Sequence, residues 1–472
     1  MTLQAKQAMP NQPEKIGQVI NNTTSAAKTV TSASRKSDLP TCMGGNRDDW
    51  RNHFLAAVRK TMNRRILDTR VQHRQRYSRF AGVLSTMVML IGFSLLTATV
   101  VSAKTITVTG TGDTIAVDGV ITLREAMTAA NSNSASGDAP AGDPGLDTIK
   151  FNIPGAGVHT ITLSSKLPSM SDVMVIDGTS QPGFAGIPLI EINGNNVLGN
   201  GFFLTAGSSS IKSLIINHFD GSGIILAGDG NTVVGNYIGT NAAGTAAVAN
   251  TGDGILIGSS NNIIGGSGSN RNVISGNGSE GIGISGPAAN GNSVRGNYIG
   301  TNAAGTAAIA NGSFGIRVFT NNNEIGGAFS GNVISGNGRG VSLESSGTGN
   351  IVSGNFIGTN ATGTGAIGNQ EGISIGGANN TIGGLVAGTR NIISGNVGNG
   401  ITLTGNQATG NFIQGNYIGT NPSGTAAVAN GSYGIRIMTC TNNLIGGTTA
   451  AARNVISGNG RGVSLEFGAS SN

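Results

Sequence analysis

The sequence predicts an all-β fold, a parallel β-helix, from three observations. The uncharged segment GNYIGTNAAGTAAVAN at Gly235 recurs with few changes at Gly296, Gly354 and Gly415, at intervals of 61, 58 and 61 residues. The short pattern Gly-(Ile/Val)-x-(Ile/Leu/Val) occurs nine times between residues 223 and 462, at steps of 25 to 34 residues. Gly accounts for 79 of the 472 residues, and only 4% are aromatic. Repeats this small cannot bury their own apolar faces, so they must stack on one another.

Each short pattern predicts one strand with an inward and an outward face, since its apolar residues alternate. The side chains of Ile316, Val318, Ile334 and Ile435 are predicted to point inward, to the core. The intervening residues Arg317, Ser342, Thr402 and Arg436 are predicted to point outward, toward solvent.

Two further repeats divide each unit of about 60 residues into a long coil and a short coil. NVISGN or NIISGN begins at Asn272, Asn332, Asn391 and Asn454, and a Gly-Gly pair ends at Gly266, Gly327, Gly384 and Gly447. The segment TNAAGTAAVAN and its copies supply the extra length of the long coils. They predict a recurrent loop, or an added short strand, on one side of the helix.

Asparagine recurs in two series: Asn236, Asn297, Asn355 and Asn416, and Asn277, Asn337, Asn396 and Asn459. Stacked amides donate and accept hydrogen bonds along the axis, and Asn tolerates left-handed corners. A structural role is therefore predicted, and ligand binding by these amides is the alternative.

Other repetitive architectures fit the sequence less well. Helical repeats conflict with the Gly content, because Gly costs about 1 kcal/mol relative to Ala inside a helix. A propeller requires blades of about 40 to 50 residues. Collagen requires Gly at every third position, a pattern that the sequence lacks.

The basic character of the chain belongs to its head. Residues 1–80 carry 15 Lys/Arg against 5 Asp/Glu, a net charge of +10, within a total of +6. Residues 1–79 are predicted to be a disordered basic extension. Met62 would give a more ordinary start for the segment that follows, so an over-extended start at Met1 is the alternative interpretation.

Residues 80–103 are predicted to be an export signal. Residues 80–101 (FAGVLSTMVMLIGFSLLTATVV) are uncharged and follow six arginines that begin at Arg64. Either a peptidase cleaves after Ala103, or the segment stays as a membrane anchor, since about 20 apolar residues span a bilayer. Both alternatives place the remainder at the cell surface or outside the cell. Only Cys440 follows the signal, so no intramolecular disulfide is expected there.

The "NVISGN" and "GNYIGTNAAGTA" repeats resemble those of bacterial secreted or surface proteins with a right-handed parallel β-helix, of the pectin-lyase-like architecture. The resemblance covers residues 104–472. The segment ITLREAMTAAN (Ile121–Asn131) is similar to an LREA-type segment found before such helices, although Ile121-Thr122 stands where that family has Cys-Ser. The resemblance implies a right-handed coil and suggests a polysaccharide lyase or hydrolase.

The same segment predicts a short helix from its own residues. Leu123 to Ala130 are good helix formers, and Thr122 with Glu125 forms a capping-box pattern. Such a helix would close the open first coil within a cap region at 104–173, before the repeats at 174–472. Arg124 and Glu125 are expected to be structural.

The charges of the repeat region argue against an enzyme on the sequence alone. After Gly221 the acids are scattered at one per coil or fewer. The pairing of Arg339 with Glu344 is duplicated as Arg461 with Glu466, as expected for a decorated surface rather than for one active site. The primary prediction is a non-enzymatic secreted or surface protein for adhesion and for glycan or matrix contact.

The alternative is a carbohydrate-active enzyme with its site in residues 147–230. NHFDG places His218 and Asp220 together, and Glu191 and Asp177 lie on neighbouring coils. A histidine beside an aspartate can serve acid–base catalysis. A corner polar cluster is the competing explanation.

No cofactor, metal or nucleic acid is predicted as a partner. The calcium-binding nonapeptide GGxGxDxUx is not found, and Gly-Asp-Gly at Asp229 and Asp253 is an ordinary turn. Beyond residue 103 the acids outnumber the bases by four, which disfavours DNA. A polysaccharide is the expected partner, with membrane contact only through residues 80–101 if these are not cleaved.

The last repeat lacks the continuation that follows its earlier copy. GVSLEFGASSN (Gly462–Asn472) aligns with GVSLESSGTGN (Gly340–Asn350), after which the earlier copy continues into a new coil. Solenoids close with a polar cap. We therefore expect either a longer protein or end-to-end self-association.

Overall fold

The computed structural model describes residues 103–196 and 199–472. The predicted head (1–79) and the apolar segment at 80–101 lie outside the described residues. Among the described residues, no helix has the length and apolarity needed to cross a membrane. The predicted division at residue 173, the export signal and the location outside the cell stay predictions.

In the described residues thirty-three strands form three parallel sheets. From residue 202 onward the chain visits the third, first and second sheets in turn, once per coil. The first sheet contains, in spatial order, β1 (Thr105–Val108), β2 (Asp147–Phe151), β4 (Met174–Asp177), β7 (Ser210–Lys212), β10 (Thr232–Val234), β13 (Ile263–Ile264), β16 (Ser293–Val294), β19 (Glu324–Gly326), β22 (Ile351–Ser353), β25 (Thr381–Gly383), β28 (Phe412–Gln414) and β31 (Leu444–Ile445).

The second sheet contains β3 (His159–Thr162), β5 (Ile190–Asn193), β8 (Leu214–Asn217), β11 (Tyr237–Ile238), β14 (Val273–Ile274), β17 (Tyr298–Ile299), β20 (Val333–Ile334), β23 (Phe356–Ile357), β26 (Ile392–Ile393), β29 (Tyr417–Ile418) and β32 (Val455–Ile456). The third contains β6 (Phe202–Leu204), β9 (Ile224–Leu226), β12 (Ile255–Ile257), β15 (Ile282–Ile284), β18 (Phe314–Val318), β21 (Arg339–Leu343), β24 (Glu371–Ile375), β27 (Ile401–Thr404), β30 (Tyr433–Met438) and β33 (Arg461–Glu466). The predicted right-handed parallel β-helix is confirmed.

The core is a stack of aliphatic side chains, because equivalent strand positions coincide from coil to coil. Ile316, Val318, Ile334 and Ile435 are fully buried, as predicted. Arg317 lies on the outward face and pairs in register with Ser342 of the next strand. The outward orientation is therefore confirmed for these residues.

The expected solvent contact of two outward residues is wrong, however. Ser342 is only 2% exposed and Thr402 only 5%. Charged side chains lie over both residues: Ser342 bonds Glu344 of its own coil, and Thr402 bonds Glu371 of the preceding coil.

Asparagine ladders occupy three corners of the coil. The first ladder joins side-chain amides at 2.9–3.1 Å and consists of Asn236, Asn272, Asn297, Asn332, Asn355, Asn391, Asn416 and Asn454. The second runs from Asn250 through Asn277 to Asn459, and a third, not predicted, runs from Asn231 to Asn472. Each amide also bonds backbone, so the ladders satisfy corner groups that would each cost about 1–3 kcal/mol if buried unpaired. The structural prediction for these residues is confirmed.

Helix α1 (Leu123–Ser132) lies against β1 and β2 at the start of the solenoid. Thr122 accepts a hydrogen bond from the Glu125 amide, and the Glu125 carboxylate accepts one from the Thr122 amide, which confirms the capping box. The apolar face of the helix is buried in the core at Leu123 and Met127. Arg124 pairs with Asp113 at 2.9 Å, so it has the expected structural role.

The four copies of TNAAGTAAVAN are loops, each closed by an antiparallel bridge such as Thr240–Ala247. The loops touch along the axis, since the amide of Ala303 donates to the carbonyl of Gly244 at 2.9 Å. At the other end of the solenoid the last strands expose apolar side chains, with Leu465 51% and Phe467 73% exposed. End-to-end association stays a prediction.

Candidate functional site

Three columns of side chains run along the outward face of the third sheet, because its strands are parallel and in register. The first column holds the residue before each repeated Gly: Asp253, Glu280, Phe314, Arg339, Glu371, Asn399, Tyr433 and Arg461. The second holds the outward residue within each strand: Leu256, Gly283, Arg317, Ser342, Ser374, Thr402, Arg436 and Ser464. The third includes Phe319, Glu344, Met438 and Glu466. We call this surface the charged strip.

The charged strip collects most of the charge of the repeat region. Residues 225–472 contain 8 Arg and 7 Asp/Glu. Nine of these 15 lie on the strip: Asp253, Glu280, Arg317, Arg339, Glu344, Glu371, Arg436, Arg461 and Glu466. Along the sequence these acids are scattered, yet a separation of one coil length brings side chains together in a solenoid. The available signal was their shared place beside the repeated strand pattern.

Asp253 and Glu280 form an acid pair at one end of the strip. The amide of Glu280 donates to Asp253 Oδ1 at 3.1 Å, and the hydroxyl of Ser279 bonds the Glu280 carboxylate. Burial, and then the hydrogen bond and charge of Glu280, raise the pKa of Asp253 to about 7. Burial opposes ionisation of Glu280 too, but hydrogen bonds from Asp253, Ser279 and Arg317 outweigh it and lower the pKa of Glu280. The pair therefore holds one proton, on Asp253, at pH values below about 7, and about half of this proton is released at pH 7.

Arg317 joins this pair to the next coils. Its Nη1 lies 3.3 Å from Glu280 Oε1, and its Nε lies 2.7 Å from Glu344 Oε1. Burial opposes the charge of the guanidinium, but these two carboxylates raise the pKa of Arg317. The rings of Phe314 and Phe319 lie on either side, each with its centroid 4.6 Å from the guanidinium carbon. The side chain is thereby fixed in one orientation.

The same chemistry continues along the strip. Arg339 Nε lies 3.0 Å from Glu371 Oε2, and the other Glu371 oxygen accepts from the Thr402 hydroxyl. Arg436 contacts Glu466 Oε2 at 2.7 Å, and this bond lowers the pKa of Glu466.

An aromatic residue lies beside the last of these pairs. Arg461 donates to the hydroxyl of Tyr433 at 2.6 Å. Arg436 and Arg461 both lie over the Tyr433 ring, at 5.4 and 5.2 Å from its centroid.

The predicted pairings of Arg339 with Glu344 and of Arg461 with Glu466 are wrong. Glu344 pairs with Arg317, one coil earlier, and Glu466 with Arg436. Five residues of extended strand span about 16 Å, whereas a neighbouring parallel strand lies about 4.8 Å away. Ion pairs therefore form between coils rather than within one strand.

The residues of the enzyme alternative lie on different parts of the coil. His218 is a half-buried corner residue with φ 63°, and Asp220 is exposed and accepts a hydrogen bond from Thr251 at 3.4 Å. Glu191 lies on the second sheet, where Thr160 and Asn217 donate to its carboxylate. Asp177 lies on the first sheet and accepts from Thr179. No hydrogen bond joins these four side chains to one another within the described residues, and a catalytic role for His218 and Asp220 stays a prediction.

Metal ligands are not grouped in the described part of the chain, which contains no cluster of three or more His, Cys, Asp or Glu side chains placed to hold an ion. Cys440 is a buried free thiol, and burial raises its pKa.

The solved structures that resemble this fold include the following two. One is the A-module of the mannuronan C-5 epimerase AlgE4 from Azotobacter vinelandii, at 14% sequence identity, with 76% of this chain and 98% of that chain covered and a TM-score of 0.35. The other is the pectate lyase Pel9A, at 15% identity, with 76% and 80% covered and a TM-score of 0.29. No family model and no curated protein matches the sequence. At these identities the likeness concerns the fold alone.

Proposed function

We propose that the protein binds a linear polysaccharide along the charged strip. The observation that carries the proposal is the concentration of nine charged residues and three aromatic rings on one outward face that follows the solenoid axis. Guanidinium, carboxylate, hydroxyl and amide groups all bond sugar hydroxyls. The rings of Phe314, Phe319 and Tyr433 offer apolar surface between them.

The charge balance favours a polyhydroxylated partner over nucleic acid. The strip carries four Arg against five acids, so phosphate neutralisation gives no net attraction. The guanidinium groups are not saturated, because Arg317, Arg339 and Arg436 each keep at least one Nη that makes no hydrogen bond within the described residues. Their side chains are 30 to 46% exposed, so a ligand can reach these donors.

Binding of soluble polysaccharides by the whole protein tests this function. The double variant Arg317→Gln/Arg339→Gln should weaken binding at least about tenfold, because charge-assisted hydrogen bonds are lost. The control double variant Arg295→Gln/Arg453→Gln makes the same change of charge away from the strip and should bind as the unmodified protein does. Equal binding by the two double variants, or no binding of neutral or acidic polysaccharides by the unmodified protein, contradicts the proposal.

A second candidate function is chemical modification of the same polymer, and the Asp253–Glu280 pair is the observation that favours it. Asp253 can supply a proton near neutral pH beside an ionised carboxylate. Proton abstraction, as in a lyase, is the reaction class that we consider for this pair, because it offers one acid and one base side by side.

The lowered pKa of Glu280 makes it a weak base, so polysaccharide binding is the better-supported function. Release of unsaturated product from uronate polymers tests the chemistry. Loss of that product in Asp253→Asn and in Glu280→Gln, with its retention in Asp229→Asn, would support it, and absence of product from the unmodified protein would exclude it.

A further inference from the structure

One arginine–ring contact repeats at the corner between the first and second sheets. The guanidinium carbon of Arg271 lies 4.1 Å from the centroid of the Tyr298 ring, and that of Arg390 lies 3.9 Å from the Tyr417 ring. In each case Nε also donates to the carbonyl two residues before the ring, at 3.2 and 3.1 Å. Each arginine immediately precedes a residue of the first asparagine ladder and covers the ring of the next coil.

Gly331 occupies the equivalent position between these two contacts, and the ring that it should cover is Phe356. A Cβ atom at Gly331 would lie 1.7 Å from the carbonyl oxygen of Gly354, so this site accepts no side chain without backbone movement. No guanidinium lies over Phe356 in the described part of the chain. The interrupted repeat therefore leaves Phe356 without the guanidinium cover that Tyr298 and Tyr417 have.

A groove of about 400 Å³ opens at this point, lined by Phe329, Gly331, Gly354, Phe356, Gly388, Arg390, Ile392 and Pro422. Two more of these residues depart from the repeat. Pro422 stands where the other three loops have alanine, and Phe329 is 85% exposed although it lies next to Gly388. Several departures from an otherwise regular sequence thus converge on one groove.

The groove combines apolar walls with one free cation. Phe329, Phe356, Ile392 and Pro422 present only hydrocarbon, and no acidic side chain lines the groove. Arg390 forms no ion pair within the described residues, and its Nη atoms make no hydrogen bond there. Since no other polar side chain is present, the hydroxyls of a sugar would find no side-chain partners. The complementary ligand is an anion with an apolar body.

A second opening of about 340 Å³ shares Gly388 and Arg390 with this groove. Its lining includes Leu385 and Val386, which are 53% and 71% exposed. Arg390 therefore lines two adjoining concave surfaces. Both volumes are at the lower end of the range of small-molecule sites, about 300 to 1,000 Å³.

We propose that this groove binds a small aromatic carboxylate. The flat ring of the ligand stacks against Phe356 and Phe329, and its carboxylate bonds the free Nη atoms of Arg390. The site is separate from the charged strip, because it lies at the corner between the other two sheets. It does not depend on whether the strip binds polysaccharide.

Titration of the whole protein with 2-naphthoate, followed by the fluorescence of the probe, tests the proposal. The unmodified protein should bind 2-naphthoate at least about tenfold more tightly than the neutral 2-naphthamide and than acetate, which lacks the apolar body. Arg390→Gln should remove this preference, Arg390→Lys should restore part of it, and Phe356→Ala should weaken binding of both naphthyl probes.

Arg271→Gln is the matched control, because Arg271 has the same stacked geometry but does not line this groove. It should bind 2-naphthoate as the unmodified protein does. Circular dichroism and thermal unfolding verify that each variant is folded. Equal affinity for naphthoate and naphthamide, equal weakening by Arg271→Gln and Arg390→Gln, or no binding of 2-naphthoate at millimolar concentration each overturns the proposal.

Discussion

Replacement of Asp253 by Asn should change how the stability of the protein depends on pH. The folded protein raises the pKa of Asp253 from 3.8 to about 7, so it keeps a proton that the unfolded chain has already released. The stability that this proton contributes is present at low pH and is lost as pH rises through about 7. Asn retains the donor to Glu280 but does not titrate, so the variant should lose less stability over this range.

The size of this loss of stability follows from the pH range over which Asp253 is protonated in the folded protein but not in the unfolded chain. One pKa unit corresponds to about 1.4 kcal/mol, so the two units between pH 5 and pH 7 give an upper limit of about 2.7 kcal/mol. Asp253 keeps some contact with solvent, which screens its interactions, and we expect a loss of about 1 to 2 kcal/mol in the unmodified protein. The pKa of Glu280 is lowered, so its titration lies below this window and does not contribute.

Urea unfolding of the whole protein at pH 5 and at pH 8 measures the effect. Every other ionisable group is common to both proteins, so the difference between them isolates Asp253. Asp229→Asn is the control, because the pKa of that exposed carboxyl is lowered by the Ser260 amide and its titration lies outside the window. If Asp253→Asn and the unmodified protein lose equal stability between the two pH values, the shared-proton pair is refuted.

Two further predictions concern packing. Ile316→Asp should destabilise the protein by several kcal/mol, as an unpaired buried charge does. Arg317→Ser should cost only about 1 to 2 kcal/mol, through its lost ion pairs and ring contacts. Equal urea midpoints for the two variants would mean that the strand register is off by one residue. Gly340→Ala should destabilise, because its Cβ would lie 2.6 Å from the carbonyl oxygen of Gly372, while Gly462→Ala in the equivalent place meets nothing within 4 Å and should be neutral. A marked loss of thermal stability in Gly462→Ala would show instead that another chain covers the last coil.

Much of the fold could be predicted because a solenoid repeats its local signals. The alternation around Ile316 sets the inward face, and the recurrence of that pattern sets the length of the coil. The capping box of Thr122 and Glu125 is a local feature and was predicted from two residues. The asparagine ladders were predicted in part, since Asn236 and Asn297 proved to be linked through Asn272 of the intervening short coil.

The candidate site was harder to predict because its residues are neighbours only across coils. Arg317 was expected to face solvent, yet it bridges Glu280 and Glu344, which are 37 and 27 residues away. The raised pKa of Asp253 requires both the burial and the proximity that stacking creates. Neither can be derived from the acids as they appear along the chain.

The sequence by itself determined the parallel β-helix, because the coil length, the inward face and the corner residues are all properties of a single repeat. Only the tertiary structure decided which charged groups meet, since this depends on the register between coils whose lengths vary from 25 to 34 residues. It also decided where the groove lies. In the sequence Gly331 is only a glycine in the place of a repeated arginine, and the groove forms because the next coil brings the Phe356 ring beneath it. Local periodicity encodes the scaffold, and the stacking of unequal coils creates the sites.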